Sequence, residues 1–352
     1  MEQQEALNQS MTLIQAYRNE MAKVIVGQQK MVDGLLAALV AGGHILLEGV
    51  PGLAKTQAVK TLAKITGLDF KRIQFTPDLL PADLTGTLIW EQNKGTFSVR
   101  KGPVFANVIL ADEINRAPAK VQSALLEAME EKQVTIGENS YPLPQPFFVL
   151  ATENPIEHEG TYSLPEAELD RFLLKLMITY PKPEEELEIV KRASPLPAAA
   201  SDIQLSTALD EGALGLLRAA ADSVHVDRRI AEYIVSIVTA TRPLSTRSAL
   251  STDAPKPQAA GDSLYPQRGR GPKFPEYRSV SFGASPRASI ALHRCSKIFA
   301  MFEGRNFVSP DDVKTAAFPV LRHRLVLSYE AEAEGLDADA VISRILSHVP
   351  VP

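Results

Sequence analysis

The chain has 352 residues, of which 45% are hydrophobic and 22% charged, and its net charge is −5. That length suits about two self-supporting domains of ordinary globular composition. The acidic balance weighs against a chain built to coat nucleic acid, and the single cysteine, Cys295, excludes an internal disulfide and a multi-cysteine zinc site.

Met1 to Glu20 carries early acids and no long apolar core, so no signal peptide is predicted. The apolar run Leu35 to Ala41 falls far short of a membrane span. A cytoplasmic protein is expected. Leu7, Met11, Ile14, Tyr17 and Met21 recur at helical spacing and predict an amphipathic helix from Glu2 to about Ala22. A second helix is expected from about Lys30 to Ala41, broken by Gly42-Gly43. His44 to Glu48 reads as a short buried strand, followed by a Gly/Pro-rich turn and a helix from about Lys55. Lys71 to Phe75, Val108 to Ala111, Phe147 to Ala151 and Leu173 to Ile178 are further candidate strands, and Val121 to Glu131 a further helix. Two hairpins are expected, Thr87–Trp90 with Thr96–Val99, and Gln133–Ile136 with Tyr141–Leu143. Strands separated by helices imply a parallel α/β sheet. After Tyr180-Pro181-Lys182-Pro183 the pattern turns helical, over 184–193, 210–223, 228–239, 285–303 and 310–323, which places a domain boundary near residue 182. Within this second part, 244–276 is rich in Pro, Gly, Ser and Arg and reads as a long mobile loop.

The strand at His44 to Glu48 runs into Gly49-Val50-Pro51-Gly52-Leu53-Ala54-Lys55-Thr56 and then a helix, the setting a phosphate-binding loop needs. Backbone N–H groups there wrap phosphate, Lys55 adds a positive charge, and Thr56 offers its hydroxyl to Mg²⁺. The usual glycine before the lysine is replaced by Ala54, so the flexible turn is expected to rest on Gly52. The apolar strand Val108 to Ala111 ends in Asp112 and Glu113. The first acid suits Mg²⁺ and the second suits deprotonation of an attacking water. Asn154 ends the next buried strand, where its amide would hold that water; an Asn-Pro turn with Pro155 is the plain alternative. Arg171 precedes another strand, placed either to reach a neighbouring subunit's γ-phosphate or to form a surface ion pair. Gly283 to Arg287 opens a helix of the second part, with Pro286 early in it.

Together Gly49 to Thr56, Gln74 to Gly86, Asp112 to Ala117, Ala151 to Pro155 and Leu164 to Phe172 resemble blocks of the AAA+ ATPases, and within them of the MoxR family, over about residues 5–242 and 280–345. The resemblance implies an α/β P-loop core over 1–182, a parallel sheet sandwiched by helices with a hairpin insert at about 85–101. A smaller all-α lid over 183–352 would follow. Lys55 and Thr56 are similar to the Walker A pair, in an ATP-binding loop of Gly49, Val50, Pro51, Gly52, Leu53 and Ala54 where alanine is at home. Asp112 and Glu113 resemble Walker B, Asn154 sensor 1, Arg171 the arginine finger and Arg287 sensor 2. Val26 and Gly27 resemble the segment beside the adenine. On this resemblance Glu113, Lys55, Asn154 and Arg171 are catalytic, while Thr56 and Asp112 hold Mg²⁺. Arg116 is either a second interface arginine or a structural one. A homo-hexameric ring, a client protein to be remodelled or activated, and a partner with a von Willebrand factor A domain are implied. Three readings share the nucleotide chemistry: a chelatase-type motor, a nucleic-acid-stimulated AAA+ ATPase, and a nucleotide-gated scaffold of negligible turnover. The acidic balance opposes the second, and Glu113, Asn154 and Arg171 oppose the third.

Overall fold

The computed structural model describes residues 2–50, 52–154, 162–193, 203–243 and 279–352, so the loop expected at 244–276 lies outside the described residues. The chain divides into two compact units, Met1–His225 with Lys297–Phe307, and Val226–Ser296 with Val308–Pro352.

The first unit is organised by a five-stranded parallel sheet in the order β2-β5-β8-β1-β9. Its strands are β1 (Ile45–Glu48), β2 (Phe70–Gln74), β5 (Val108–Asp112), β8 (Phe148–Glu153) and β9 (Leu174–Met177). In β1, β5 and β8 every residue is buried up to the last one, which explains why they read as unbroken apolar runs. On one face Leu46, Ile109, Ala111, Val149 and Ala151 pack with Val121, Leu125, Leu126 and Met129 of α5 (Ala119–Glu131). Helices α2 (Gln29–Ala41) and α3 (Lys55–Thr66) pack on β9 and β5, and α1 (Glu2–Val24) packs on both helices. Of the α1 stripe Leu7, Ile14, Tyr17 and Met21 are buried and Met11 is half-buried, with the Tyr17 hydroxyl donating to the Val32 carbonyl at 2.9 Å.

A short helix, α4 (Pro81–Thr85), leads into the first hairpin, β3 (Gly86–Glu91) with β4 (Thr96–Lys101). The second hairpin pairs β6 (Gln133–Ile136) with β7 (Asn139–Pro142), two residues ahead of the expected return strand. A short helix α6 (Glu166–Leu169) precedes β9.

The sequence places a domain boundary near residue 182; the compact unit that carries the sheet runs on to His225, because the next two helices are fastened to it. Helix α7 (Pro183–Ala193) is tied by Arg192, which donates to the carbonyls of Ala22 and Lys23. Helix α8 (Glu211–Ser223) packs on α1 and α2, and Arg218 donates to the Leu39 carbonyl at 3.2 Å. Ahead of it the Leu209 N–H donates to the Ile65 carbonyl. The second unit holds α9 (Arg228–Ala240) and helices at Pro310–Leu321, Tyr329–Ala333 and Ala338–His348. It is not wholly helical as expected: Val280–Phe282 pairs antiparallel with Val326–Leu327. Among the described residues no helix is long and apolar enough to cross a membrane.

One buried polar group joins the sheet to α5. His44 accepts the Val149 N–H at Nδ1 (3.1 Å), so its proton sits on Nε2, which donates to the Met129 carbonyl at 3.3 Å. Burial pulls its pKa from 6.5 to about 4. The unfolded chain therefore binds the extra proton between those two values, and His44 withdraws about 3 kcal/mol of stability as pH falls through that window. The difference in urea unfolding free energy between the native and His44→Leu chains should shrink across this range. A difference independent of pH would contradict the buried neutral imidazole.

Candidate nucleotide-binding and hydrolysis site

The loop leaves β1 through Gly49. A side chain there would lie 2.9 Å from the Cβ and the carbonyl oxygen of Ile178, so this crossing past the end of β9 admits only glycine. Gly52 has φ +87° and Ala54 φ +57°. The turn thus rests on both residues rather than on Gly52 alone, and Ala54 bears a left-handed conformation costing about 1 kcal/mol. It delivers the chain into α3, whose first N–H groups have no intrahelical acceptor and so form an anion site. Lys55 Nζ lies 2.5 Å from the Gly49 carbonyl. Burial lowers the pKa of its ammonium, and the carboxylates of Asp112, Glu113 and Glu48 oppose that shift.

A cavity of about 400 Å³ opens over this loop, lined by residues 52–57 together with Arg72, Asp112, Glu113, Thr152 and Asn154. Lys55, Thr56, Asp112, Glu113 and Asn154, singled out from the sequence, are thereby brought together. Gly49 and Val50 enter the loop without lining the cavity, and Pro51 lies outside the described residues.

The acids are held by a continuous hydrogen-bond chain. Asp112 Oδ1 accepts from Thr152 Oγ1 at 2.7 Å, and its Oδ2 accepts from Arg72 Nη2 and Nε at 2.6 and 3.0 Å. The same Thr152 oxygen accepts the Glu113 N–H at 2.8 Å, which pins Glu113 in a left-handed conformation (φ 57°). Glu113 Oε2 accepts from Gln74 Nε2 and Arg116 Nη1, both at 2.9 Å. Gln74 Oε1 accepts from Arg72 Nη2 at 3.0 Å. A guanidinium only donates and a carboxylate only accepts, so the amide of Gln74 between them can face only one way. Arg116, whose role the sequence left open, is tied to Glu113 of its own chain. Ala54 and Glu113 are two of four non-glycine residues with positive φ among the described residues, and both line the cavity. Backbone strain of this kind collects where function holds it in place.

A metal fits here in one way. Among the described residues no group of three His, Cys, Asp or Glu side chains is arranged to hold an ion. Thr56 and Asp112 supply one hydroxyl and one carboxylate to the cavity. That sparse set suits Mg²⁺, which keeps waters and takes phosphate oxygens as its other ligands. The guanidinium already seated on Asp112 shows that this carboxylate is placed to meet a cation.

Other sequence candidates lie away from the cavity. Arg171 does not line it, and its Nε pairs with Glu130 Oε2 at 2.9 Å. Val26 and Gly27 join α1 to α2; Gly27 has φ +64° and lies against the Glu185 carboxylate. Arg287 belongs to the second unit, in the helix Pro286–Phe302, with its N–H on Ser285 Oγ at 3.1 Å. Sequence reasoning missed Arg72, Gln74 and Thr152 as site residues. Arg72 and Gln74 alternate on β2, and Gln74 registers with Asp112. That two-residue spacing beside the acidic strand is the signal that would have found them.

The family model of the ATPase family associated with various cellular activities (AAA) matches residues 44–174, and that of the AAA lid domain matches 276–345. The fold is that of an AAA ATPase core followed by a lid. Chaperone MoxR1 of Mycobacterium tuberculosis is 46% identical over 95% of this chain and 81% of its own length. Protein MoxR of Paracoccus denitrificans is 30% identical over 94% and 93%. A crystal structure of a protein assigned as an ATPase, from Cytophaga hutchinsonii, superposes with a TM-score of 0.83 at 46% identity, covering 99% of this chain and 97% of that one. The chain belongs to the MoxR family of AAA ATPases.

Thr152 is the joint of the site, since its hydroxyl serves Asp112 and the Glu113 N–H at once. Thr152→Val keeps the shape, removes the donor to Asp112 Oδ1 and leaves the Glu113 N–H without that acceptor. It is expected to cost about 1–3 kcal/mol in urea unfolding and to slow nucleotide turnover. A variant with native stability and native turnover would remove Thr152 from the site.

Proposed function

We propose that this chain hydrolyses ATP by direct attack of water and uses the cycle to remodel or activate a client protein. The observation that carries the reading is the single cavity where Lys55, Thr56, Asp112 and Glu113 meet over the loop from β1 to α3. The α3 N-terminus and the loop N–H groups bind the phosphates, and Lys55 offsets the charge shared by the β- and γ-phosphates. Mg²⁺, held by Thr56 and Asp112, would supply further charge neutralisation. Glu113 takes a proton from the attacking water, whose oxygen bonds to the γ-phosphorus as ADP leaves. Gln74 and Arg116 both hold Oε2 of Glu113, which fixes the carboxylate's direction before nucleotide arrives. Asn154, buried at the end of β8, orients the water.

Arg171 does not line its own chain's cavity, which supports its use as an arginine finger in the site of an adjacent copy, in a homo-hexamer. Glu130 holds it ready at the surface. Arg287 is assigned to the γ-phosphate, and Val26 and Gly27 to the adenine, on family resemblance. The first hairpin is the client-facing element in this reading. Trp90 and Phe97 stack edge to face at 5.0 Å near its tip, yet they are 51% and 65% exposed. Exposed aromatic pairs of this kind mark protein-binding surfaces. A partner with a von Willebrand factor A domain and a cytoplasmic setting complete the proposal, the chaperone name of the mycobacterial relative supporting the client role.

The test is phosphate release together with binding of a fluorescent ATP analogue. Lys55→Ala is expected to lose binding. Glu113→Gln is expected to bind as tightly as the native chain while turning over about a hundredfold more slowly. Trp90→Ser with Phe97→Ser should leave basal turnover unchanged and abolish its stimulation by chemically unfolded protein. Native turnover in Glu113→Gln would overturn the mechanism, and native stimulation in the hairpin variant would overturn the client surface.

A further inference from the structure

Three strands of the sheet share a charged cluster that the hydrolysis mechanism above does not use. Glu48 closes β1 immediately before Gly49, and Glu153 closes β8 immediately before Asn154. Lys175 lies in β9, four residues after Arg171. The parallel register sets Glu48 beside Glu153 and Leu46 beside Lys175. Because side chains alternate along a strand, all three share the face opposite Thr152. Lys175 Nζ sits 2.5 Å from Glu48 Oε2 and 3.8 Å from Glu153 Oε2. The three side chains are largely buried, at 16%, 21% and 18% exposure. Burial raises the Glu153 pKa, Lys175 opposes that shift, and Glu48 adds to it. The Glu48 carboxylate also acts on Lys55, opposing the fall in its ammonium pKa.

Apolar side chains would join these strands at no less stability, since desolvating charges offsets most of their attraction. What a shared lysine adds is direction: it fixes two carboxylates relative to each other. Both carboxylates stand one residue from a site element, and the Gly49 N–H also donates to the Glu153 carbonyl.

We propose that Lys175 is a positioning residue for ATP hydrolysis, holding the exit of β1, and with it the phosphate loop, against the exit of β8, and with it Asn154. The inference rests on the ATPase reading given above. Without the lysine two carboxylates face each other across adjacent strand ends, and the strands part unless one takes a proton. A displacement of this kind falls on the chemical step, because bound phosphate is held by the loop itself.

The experiment measures steady-state turnover of the full chain from about pH 6 to about pH 8, with affinity for a fluorescent ATP analogue and thermal unfolding alongside. Lys175→Met is expected to lower kcat about tenfold at the alkaline end and less at the acid end, with the dissociation constant changed by less than about threefold. Lys175→Arg, which keeps the charge, is expected to restore kcat. Should Lys175→Met fail to fold, Glu153→Leu decides: it leaves the Lys175–Glu48 pair intact, cuts the link to β8, and is expected to lower kcat about threefold at unchanged affinity. Native kcat in either variant, a loss in Lys175→Met without pH dependence, or failure of Lys175→Arg to rescue would overturn the inference. An active native chain beside an indifferent Lys175→Met fails the lysine alone, whereas a native chain that releases no phosphate fails the ATPase reading and the inference with it.

Discussion

Strand β1 pairs in parallel with β8 on one side and β9 on the other, and it spends Ile45, Leu46 and Leu47 wholly on the core. Neither face of such a strand is free for chemistry, so functional groups emerge only where it ends. The strand order then decides which ends are neighbours. With β8 between β5 and β1, the acids closing β5 fall on one side of Thr152 and the phosphate loop on the other. One hydroxyl can consequently serve Asp112 and Glu113 together, and Asn154 follows it into the same cavity.

Electrostatics set the state of that cavity. The positive groups of Lys55 and Arg72 share it with Asp112 and Glu113. Each acid is held by directional donors rather than by a diffuse field, and Gln74 links the two because its amide must point its oxygen at Arg72 and its nitrogen at Glu113. Preorganisation of this kind lowers the cost of orienting groups at the moment of reaction. The left-handed backbone at Ala54 and Glu113 is the strain it requires, offset by the packing of the sheet beneath.

The sheet and the phosphate loop were legible because buried parallel strands read as unbroken apolar runs and the loop has a fixed order of residues. The Asp112–Glu113 pair was legible from its place at a strand end. Arg72, Gln74 and Thr152 were not, since their partners stand about forty positions away and only the pairing of β2 with β5 and β5 with β8 brings them close. The extent of the sheet-bearing compact unit was hidden for a similar reason. Composition changes at residue 182, yet α7 and α8 are held to the first unit by a few contacts from Arg192, Leu209 and Arg218 that leave no local pattern. The ribbon of the second unit was missed because strands of three and two residues carry too little periodicity to read. Arg171 was flagged by position, and its pair with Glu130 is a contact across the fold that spacing does not encode.

The central claim is that each site is completed by the next subunit, because Arg171 lies off its own cavity while the remaining groups converge on it. The most direct test is specific ATP turnover as a function of protein concentration, for the native chain and for Arg171→Ala. The account requires turnover per chain to rise with concentration, and the variant to bind ATP and stay slow at every concentration. Turnover that is flat with concentration and indifferent to Arg171 would show a site complete within one chain, and would contradict both the arginine finger and the ring.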